Sequence, residues 1–272
     1  MTGTSAPASL TGTGITRAPR DEPETVLSGM HRDGVAFIDG LAAPERMARL
    51  PAQLAEPFPE TLGTGAEPDD HISVGDQRFA FPLPVAAPFD VEELLFDPAL
   101  TGVLDTVLGD TWLFESIGVV IARPHAVDLR VHRDGNWLFG GTGIDKILPP
   151  VALTVAFALM DFDAAIGRTA FIPRSQREFE ILKDPDLFIS ADQLAGSCCP
   201  WNFRMVHRAE QNTADQVRAM VCAAVCRPFC IDYENLRKEQ QGRRLPRICG
   251  SHGGERPTTA AAGRTDRLIR LR

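Results

Sequence analysis

The tetrapeptide His-Arg-Asp-Gly occurs twice, at His31–Gly34 and at His132–Gly135. A histidine and a carboxylate two residues apart can give one nitrogen and one oxygen to a single metal ion, so each copy is a candidate half-site. The backbone beneath them separates the two. In a strand, residues i and i+2 leave the same face. In a helix they diverge by about 200°, at about 100° per residue. His31 and Asp33 close a stretch whose apolar residues Val26, Leu27 and Met30 have helical spacing. Gly34 then stands where a helix ends, and His31 and Arg32 suit the negative end of its dipole. That copy reads as a helix terminus.

His132 and Asp134 instead end an alternating segment, Val127–Asp134, and are expected to converge at a strand edge where the chain turns at Gly135. A third ligand is needed. His71 lies in an acidic loop, His125 follows a proline in a turn, and His252 sits in a glycine-rich tail. His207 alone ends a strand-like run, Cys198–His207. Two histidines and one carboxylate that leave three positions open make the facial triad of non-haem Fe(II) oxygenases. Eleven residues beyond His207, on the next apolar run, comes Arg218. An arginine there can clamp the far carboxylate of a 2-oxo acid cosubstrate through two parallel hydrogen bonds.

These side chains need a scaffold. The chain has 272 residues, 44% of them hydrophobic, enough for one large core or two small ones. Residues 1–20 read as a flexible lead-in without the apolar stretch of a secretory signal. A helix is expected after Asp21, with Pro23 in its first turn and Asp21 and Glu24 as a capping pair. A strand follows over Gly34–Gly40, then a helix over 43–54 interrupted near Pro51, a loop over 56–75, and one amphipathic helix over Asp90–Gly109. From Thr111 the texture changes. Short runs rich in β-branched and aromatic residues, separated by turn residues, cover 111–123, 127–134, 149–162, 168–175, 195–207 and 216–229. Helices first and strands afterwards argue for a β-core with an N-terminal helical layer rather than alternating βαβ units. A last helix is expected over 230–241.

No run of about 18 apolar residues is present, which speaks against a membrane helix. A net charge of −8 and a pI near 5.3 speak against nucleic acid as partner. The tail from 250 carries five arginines but little to bury, and is expected to be disordered. The six cysteines form no Cys-x-x-Cys pair and read as reduced, mostly buried thiols of a cytoplasmic protein.

The stretch from Trp112 to Asn235 resembles the phytanoyl-CoA hydroxylase-like Fe(II)/2-oxoglutarate-dependent dioxygenases. The resemblance is carried by VHRDGNWLF, VALTVAFALMDFDAAIGRTAFIPRSQ, AGSCCPWNFRMVHRAEQNTADQVRAMV and CRPFCIDYENL, and by DGVAFIDGL near the N-terminus. It implies a mostly β fold with flanking helices, a double-stranded β-helix or jelly roll (cupin-like), as one domain over 21–249 with its core at about 110–230. It implies His132, Asp134 and His207 as iron ligands, Arg218 and Thr169 as cosubstrate contacts, and Fe(II), 2-oxoglutarate and O2 as cofactor and cosubstrates. The implied reaction is hydroxylation of an unactivated C–H bond in a small, largely apolar molecule, a terpenoid-type natural product being the nearest class; a homodimer is the family-level expectation. Trp137, Leu138 and Phe139, just past the ligand turn, could form an apolar wall, with Trp137 and Phe139 as substrate contacts; core or lid packing is the other reading.

Four departures stand out. The family's PGSH is here PRSQ, Pro173–Gln176. Its glutamine three residues before the first ligand is Leu129, with Arg130 on the histidine's face. The arginine after the threonine is replaced by Ala170, with Arg168 before it. Arg208 and Glu210 follow the distal histidine, where charge can narrow the pocket. Two other readings stay open: a cupin-like metalloenzyme that does not use 2-oxoglutarate, and a non-catalytic β-helix that acts as a binding subunit.

Overall fold

The computed structural model describes residues 14–47, 49–55, 72–83, 91–230 and 248–249. They form a double-stranded β-helix of two facing sheets. The larger has nine strands: β1 (Thr16–Pro19), β2 (Ala36–Asp39), β3 (Ile72–Gly75), β4 (Arg78–Pro82), β5 (Leu113–Ala122), β6 (Ala152–Ala158), β9 (Cys198–Asn202), β11 (Arg218–Cys226) and β12 (Ile248–Cys249). Its order is β1-β2-β9-β6-β11-β5-β4-β3, with β12 beside β5. The smaller sheet runs β10 (His207–Ala209), β7 (Thr169–Phe171), β8 (Ile189–Ser190).

The central strands are apolar on both faces because each face has its own core. On β11, Ala219, Val221, Ala223 and Val225 point outward, into a cluster shared with Leu153, Val155 and Phe157 of β6 and with the helices. The alternate residue Met220 points inward with Ala156, Ala158, Trp201 and Phe171. Helix α1 (Pro23–Asp33) gives Val26 and Met30 to the outer cluster, and α5 (Pro98–Leu108) gives Leu100, Val103, Leu104 and Leu108. Each such side chain, removed from water, contributes roughly 1.5–3 kcal/mol.

Helix α1 ends as its sequence predicts. Gly34 takes φ 84°, the left-handed region that glycine tolerates best, and its amide donates to the Met30 carbonyl at 3.0 Å. The expected Asp21–Glu24 capping pair does not form; Glu22 occupies the N-cap without a side-chain cap bond. The single helix expected over 90–109 is two, α4 (Glu92–Leu95) and α5. A residue before proline avoids helical backbone. Asp97 therefore sits at ψ 131°, where its carboxylate caps α5 by accepting from the Ala99 amide at 2.9 Å.

Other expectations also shift. Thr16–Pro19 of the lead-in pairs in parallel with β2, and Ile72–Gly75 of the expected loop pairs with β4. The helical stretch near Pro51 is α2 (Pro44–Met47) and α3 (Arg49–Ala55), with the proline inside α3. A short helix, α6 (Gly143–Ile147), follows the turn after Asp134 and is opened by a Thr142–Asp145 capping box. The helix expected over 230–241 and the tail from 250 lie outside the described residues. No described helix is long and apolar enough to cross a membrane. Cys198, Cys199 and Cys222 are free thiols, and the first two are buried, as is Cys226.

Candidate metal centre

His132 and Asp134 do leave one face, but not from a regular strand. Residues 126–131 make no ladder, and His132 forms an isolated bridge to His207, each amide donating to the other's carbonyl at 3.0 Å. The Leu129 amide donates to the Ala209 carbonyl at 2.9 Å. Three residues thus oppose two, so the segment carries a bulge, the device that re-aims side chains beside active sites. Past the bulge, the Asp134 and Gly135 amides both donate to the Phe203 carbonyl at 3.0 Å. The near histidine and aspartate are therefore pinned along the segment that bears the far histidine. His207 opens β10 of the small sheet instead of ending β9. A turn at Phe203–Val206, closed by Asn202 side-chain and backbone bonds, transfers the chain from one sheet to the other.

His132, Asp134 and His207 each offer one ligand atom, and these atoms lie within 4.8 Å of one another, the one such cluster among the described residues. Asp134 Oδ1 is 3.6 Å from His132 Nε2 and 3.5 Å from His207 Nε2. His132 Nδ1 lies 2.9 Å from the Arg130 carbonyl and His207 Nδ1 3.1 Å from that of Met205. A carbonyl only accepts, so each Nδ1 carries the hydrogen and each Nε2 presents a lone pair. Burial, then the neighbouring His207, pushes His132 below the usual histidine pKa, which keeps its ring neutral at neutral pH. Asp134 Oδ2 accepts from Thr154 Oγ1 at 2.6 Å and Trp201 Nε1 at 2.8 Å, leaving Oδ1 for the cluster. Two imidazole lone pairs and a carboxylate oxygen converging without a hydrogen between them suit a divalent cation, with outer partners of the kind that orient metal ligands. Three donors on one side leave the other side open.

Arg218 opens β11 opposite Ala122 and is 1% exposed. Its Nη2 donates to Thr169 Oγ1 at 3.1 Å, its guanidinium lies 4.3 Å from the Phe162 ring centroid, and its Nε has no partner. Burial pushes its pKa down to about 10, so it remains a cation at neutral pH. A buried cation with a hydroxyl, a ring face and an unsatisfied donor calls for an anion. Thr169 pairs with Ala209 and Phe171 with His207, so the Arg218–Thr169 contact lies two residues along the sheet from the far histidine. A second arginine, Arg78 of β4, also faces Ala122 and is 2% exposed. It donates to the carbonyls of Val127 at 3.1 Å and Glu210 at 2.5 Å. The residues fit a dicarboxylate that reaches from the cluster to a buried guanidinium.

A cavity of about 670 Å³ opens beside His132, between Ser73–Asp76 with Arg78 and the segment Asp128–Arg130. Arg130 lines it, and its charge adds to the lowering at His132. Leu129, in the place of the family glutamine, packs toward Gly75. Arg208 does not narrow the pocket. It pairs with Asp128 at 2.8 Å and stacks on Phe188, because alternation along β10 turns it away from His207. Trp137 packs on Phe179, with Arg133 and Arg204 over its ring, whereas Leu138 and Phe139 are exposed. Arg78, Thr154 and Trp201 escape a sequence reading. Arg78 stands between the expected loop over 56–75 and the expected helix from 90, where no element is expected, and the other two pass for ordinary core residues of a strand.

Several solved structures share this fold. The epimerase SnoN, in complex with Fe3+, alpha ketoglutarate and nogalamycin RO, superposes with a TM-score of 0.60 over 91% of this chain and 98% of its own, at 17% identity. HygX from Streptomyces hygroscopicus, with nickel, 2-oxoglutarate and hygromycin B bound, gives 0.59 over 75% and 87%, at 13% identity. Among curated proteins, dioxygenase trt7 of Aspergillus terreus is 25% identical over 74% of this chain and 72% of its own length. The multifunctional dioxygenase ausE of Aspergillus calidoustus is 24% identical over 77% and 74%. Residues 30–220 match the phytanoyl-CoA dioxygenase (PhyH) family from end to end of the span between α1 and the start of β11, and the chain belongs to that family.

Proposed function

We propose that this protein is an Fe(II)- and 2-oxoglutarate-dependent dioxygenase that hydroxylates an unactivated C–H bond of a small, largely apolar natural product of terpenoid type. The observation that carries the reading is the convergence of His132 Nε2, Asp134 Oδ1 and His207 Nε2 within 4.8 Å, with Arg218 buried and short of an anion in the same jelly-roll interior. When bound, iron and 2-oxoglutarate supply the activation of O2. The chain does the rest. The two histidines and Asp134 hold the metal on one side. Arg218 and Thr169 hold the far carboxylate of the cosubstrate, with Arg78 adding positive charge nearby. Retention of a carboxylate at Asp134 favours hydroxylation over halogenation, which needs that ligand position for halide.

The substrate approaches over the inner wall of the large sheet. There Ala80, Val120 and Ala224 are half-buried while their outward neighbours are fully buried, so the inner wall presents small apolar side chains. Phe139, 54% exposed just past the ligand turn, supplies an apolar cover, and Trp137 anchors the turn from behind. Relatives that are dioxygenases, and fold neighbours with nogalamycin RO or hygromycin B bound, support a natural product as the class.

The test is anaerobic addition of Fe(II) and millimolar 2-oxoglutarate, followed by O2. A weak visible charge-transfer band and subsequent succinate release are expected, both lost in His132→Ala, with Arg218→Ala no longer saturated by millimolar 2-oxoglutarate. Absence of band and succinate in the parent protein overturns the reading, and turnover that needs no 2-oxoglutarate moves it to another metalloenzyme class.

A further inference from the structure

Among the described residues the first His-Arg-Asp-Gly copy joins no metal-ligand cluster, yet its aspartate is 2% exposed, far more buried than a helix end requires. Asp33 Oδ2 accepts from Arg32 Nε at 2.9 Å and Nη2 at 2.6 Å, and Oδ1 accepts from Arg174 Nε at 3.3 Å. The Asp33 carbonyl accepts from the Arg174 amide at 2.9 Å. Arg174 takes φ 68°, a left-handed backbone that costs a non-glycine residue energy and persists where surroundings impose it. The next residue, Ser175, is fully buried, and its Oγ accepts from the Val206 amide at 2.8 Å. The Ile172 amide donates to the Val206 carbonyl at 2.9 Å. Val206 precedes His207, and Met205, one residue earlier, orients the His207 ring through its carbonyl.

Gly34 reaches the same turn directly. Its carbonyl accepts from the Asn202 amide at 2.8 Å, and a Cβ on it would lie 2.5 Å from Met205 Sδ and 2.7 Å from the Gln176 side chain. The second copy grips the other end of this loop. Arg133, turned away from the metal side, donates to the carbonyls of Ser175, Glu178, Phe179 and Glu180.

We infer that Asp33 is a positioning residue for the metal centre: with Gly34 and Arg174 it fixes the Pro173–Gln176 loop, and through Ser175 it sets the turn that aims His207. The inference rests on the metal-centre reading above. The two copies are then one clamp on one loop, the first acting through Asp33 and the second carrying ligands on one face and Arg133 on the other.

The test is anaerobic titration of the full chain with Co(II), reading affinity and the visible spectrum, with the melting temperature of the metal-free protein alongside. The variants are Asp33→Asn, Arg174→Gly and, as a control on the same helix end, His31→Ala. Asp33→Asn and Arg174→Gly should each weaken Co(II) binding about ten- to hundredfold, the range for removal of a partner that orients ligands, and should alter the spectrum. Arg174→Gly discriminates, since glycine suits the left-handed backbone and a lower melting temperature is not expected. His31→Ala should match the parent. Binding within twofold of the parent with an unchanged spectrum in both variants overturns the inference while leaving the metal centre standing. Failure of the parent itself to bind Co(II) overturns the metal-centre reading instead.

Discussion

Of the three candidate metal ligands, Asp134 has the most exacting task, since one oxygen must lie 3.5–3.6 Å from two imidazole nitrogens at once. Its aim is set by the two donors on the other oxygen. Thr154→Val removes a hydroxyl at 2.6 Å with little change of shape, and Trp201→Phe removes an indole N–H at 2.8 Å while keeping an aromatic ring beside Phe171 and His207. A hydrogen bond to a charged group is worth about 1.5–3 kcal/mol. Two effects on metal affinity oppose each other. Losing a donor makes the carboxylate more basic, which favours the metal. It also frees the group to rotate, which misdirects Oδ1. The second effect should dominate, because the site needs one oxygen in one place. Taking about 1.4 kcal/mol as the net loss, each substitution weakens Co(II) or Ni(II) binding about tenfold. The two donors share one acceptor, so the double variant should fall short of the hundredfold product. Anaerobic calorimetric titration measures the affinities, and a melting curve of the metal-free protein separates misaiming from loss of fold. Both single variants binding within twofold of the parent would refute this account of how Asp134 is aimed.

Two further outcomes follow from the buried charges and thiols. Arg218→Met should weaken 2-oxoglutarate binding by at least a hundredfold while leaving metal-free stability equal or higher, since the guanidinium is buried, its Nε is unpaired and burial already lowers its pKa to about 10; equilibrium titration and melting curves decide it. Burial raises the thiol pKa of Cys198 and Cys199 above the ordinary thiol range, and pushes that of Cys222 up to about 12. The unfolded thiols therefore ionise first, so stability should be full below about pH 9 and fall above it by up to about 1.4 kcal/mol per thiol per pH unit. Urea melts across that range check the slope, and a Cys198→Ala, Cys199→Ala pair should flatten it.

Much of the scaffold is legible because local rules and tertiary packing agree. The spacing of Val26, Leu27 and Met30 and the glycine after Asp33 already mark α1, and the runs of β-branched and aromatic residues in 111–123, 149–162 and 216–229 already mark β5, β6 and β11. Where they disagree, a long-range partner decides. Thr16–Pro19 has no strand signal of its own and pairs because β2 offers an edge. Val127–Asp134 alternates like a strand but is bulged against β10, so the near ligands are placed by His207's strand rather than by their own.

The sequence by itself determined which residues have the right chemistry: two histidines, a carboxylate and an arginine at spacings that fit one site, and a helix terminus beneath the other His-Arg-Asp-Gly. That follows from side-chain periodicity, a property of a few consecutive residues. Only the tertiary structure decided how they are held. Thr154 and Trp201 meet Asp134 from strands 20 and 67 residues away, Arg78 meets the Glu210 carbonyl across 132, and Arg174 reaches Asp33 across 141. Such partners share no local pattern, because hydrogen bonds that orient a site depend on sheet register and not on sequence spacing.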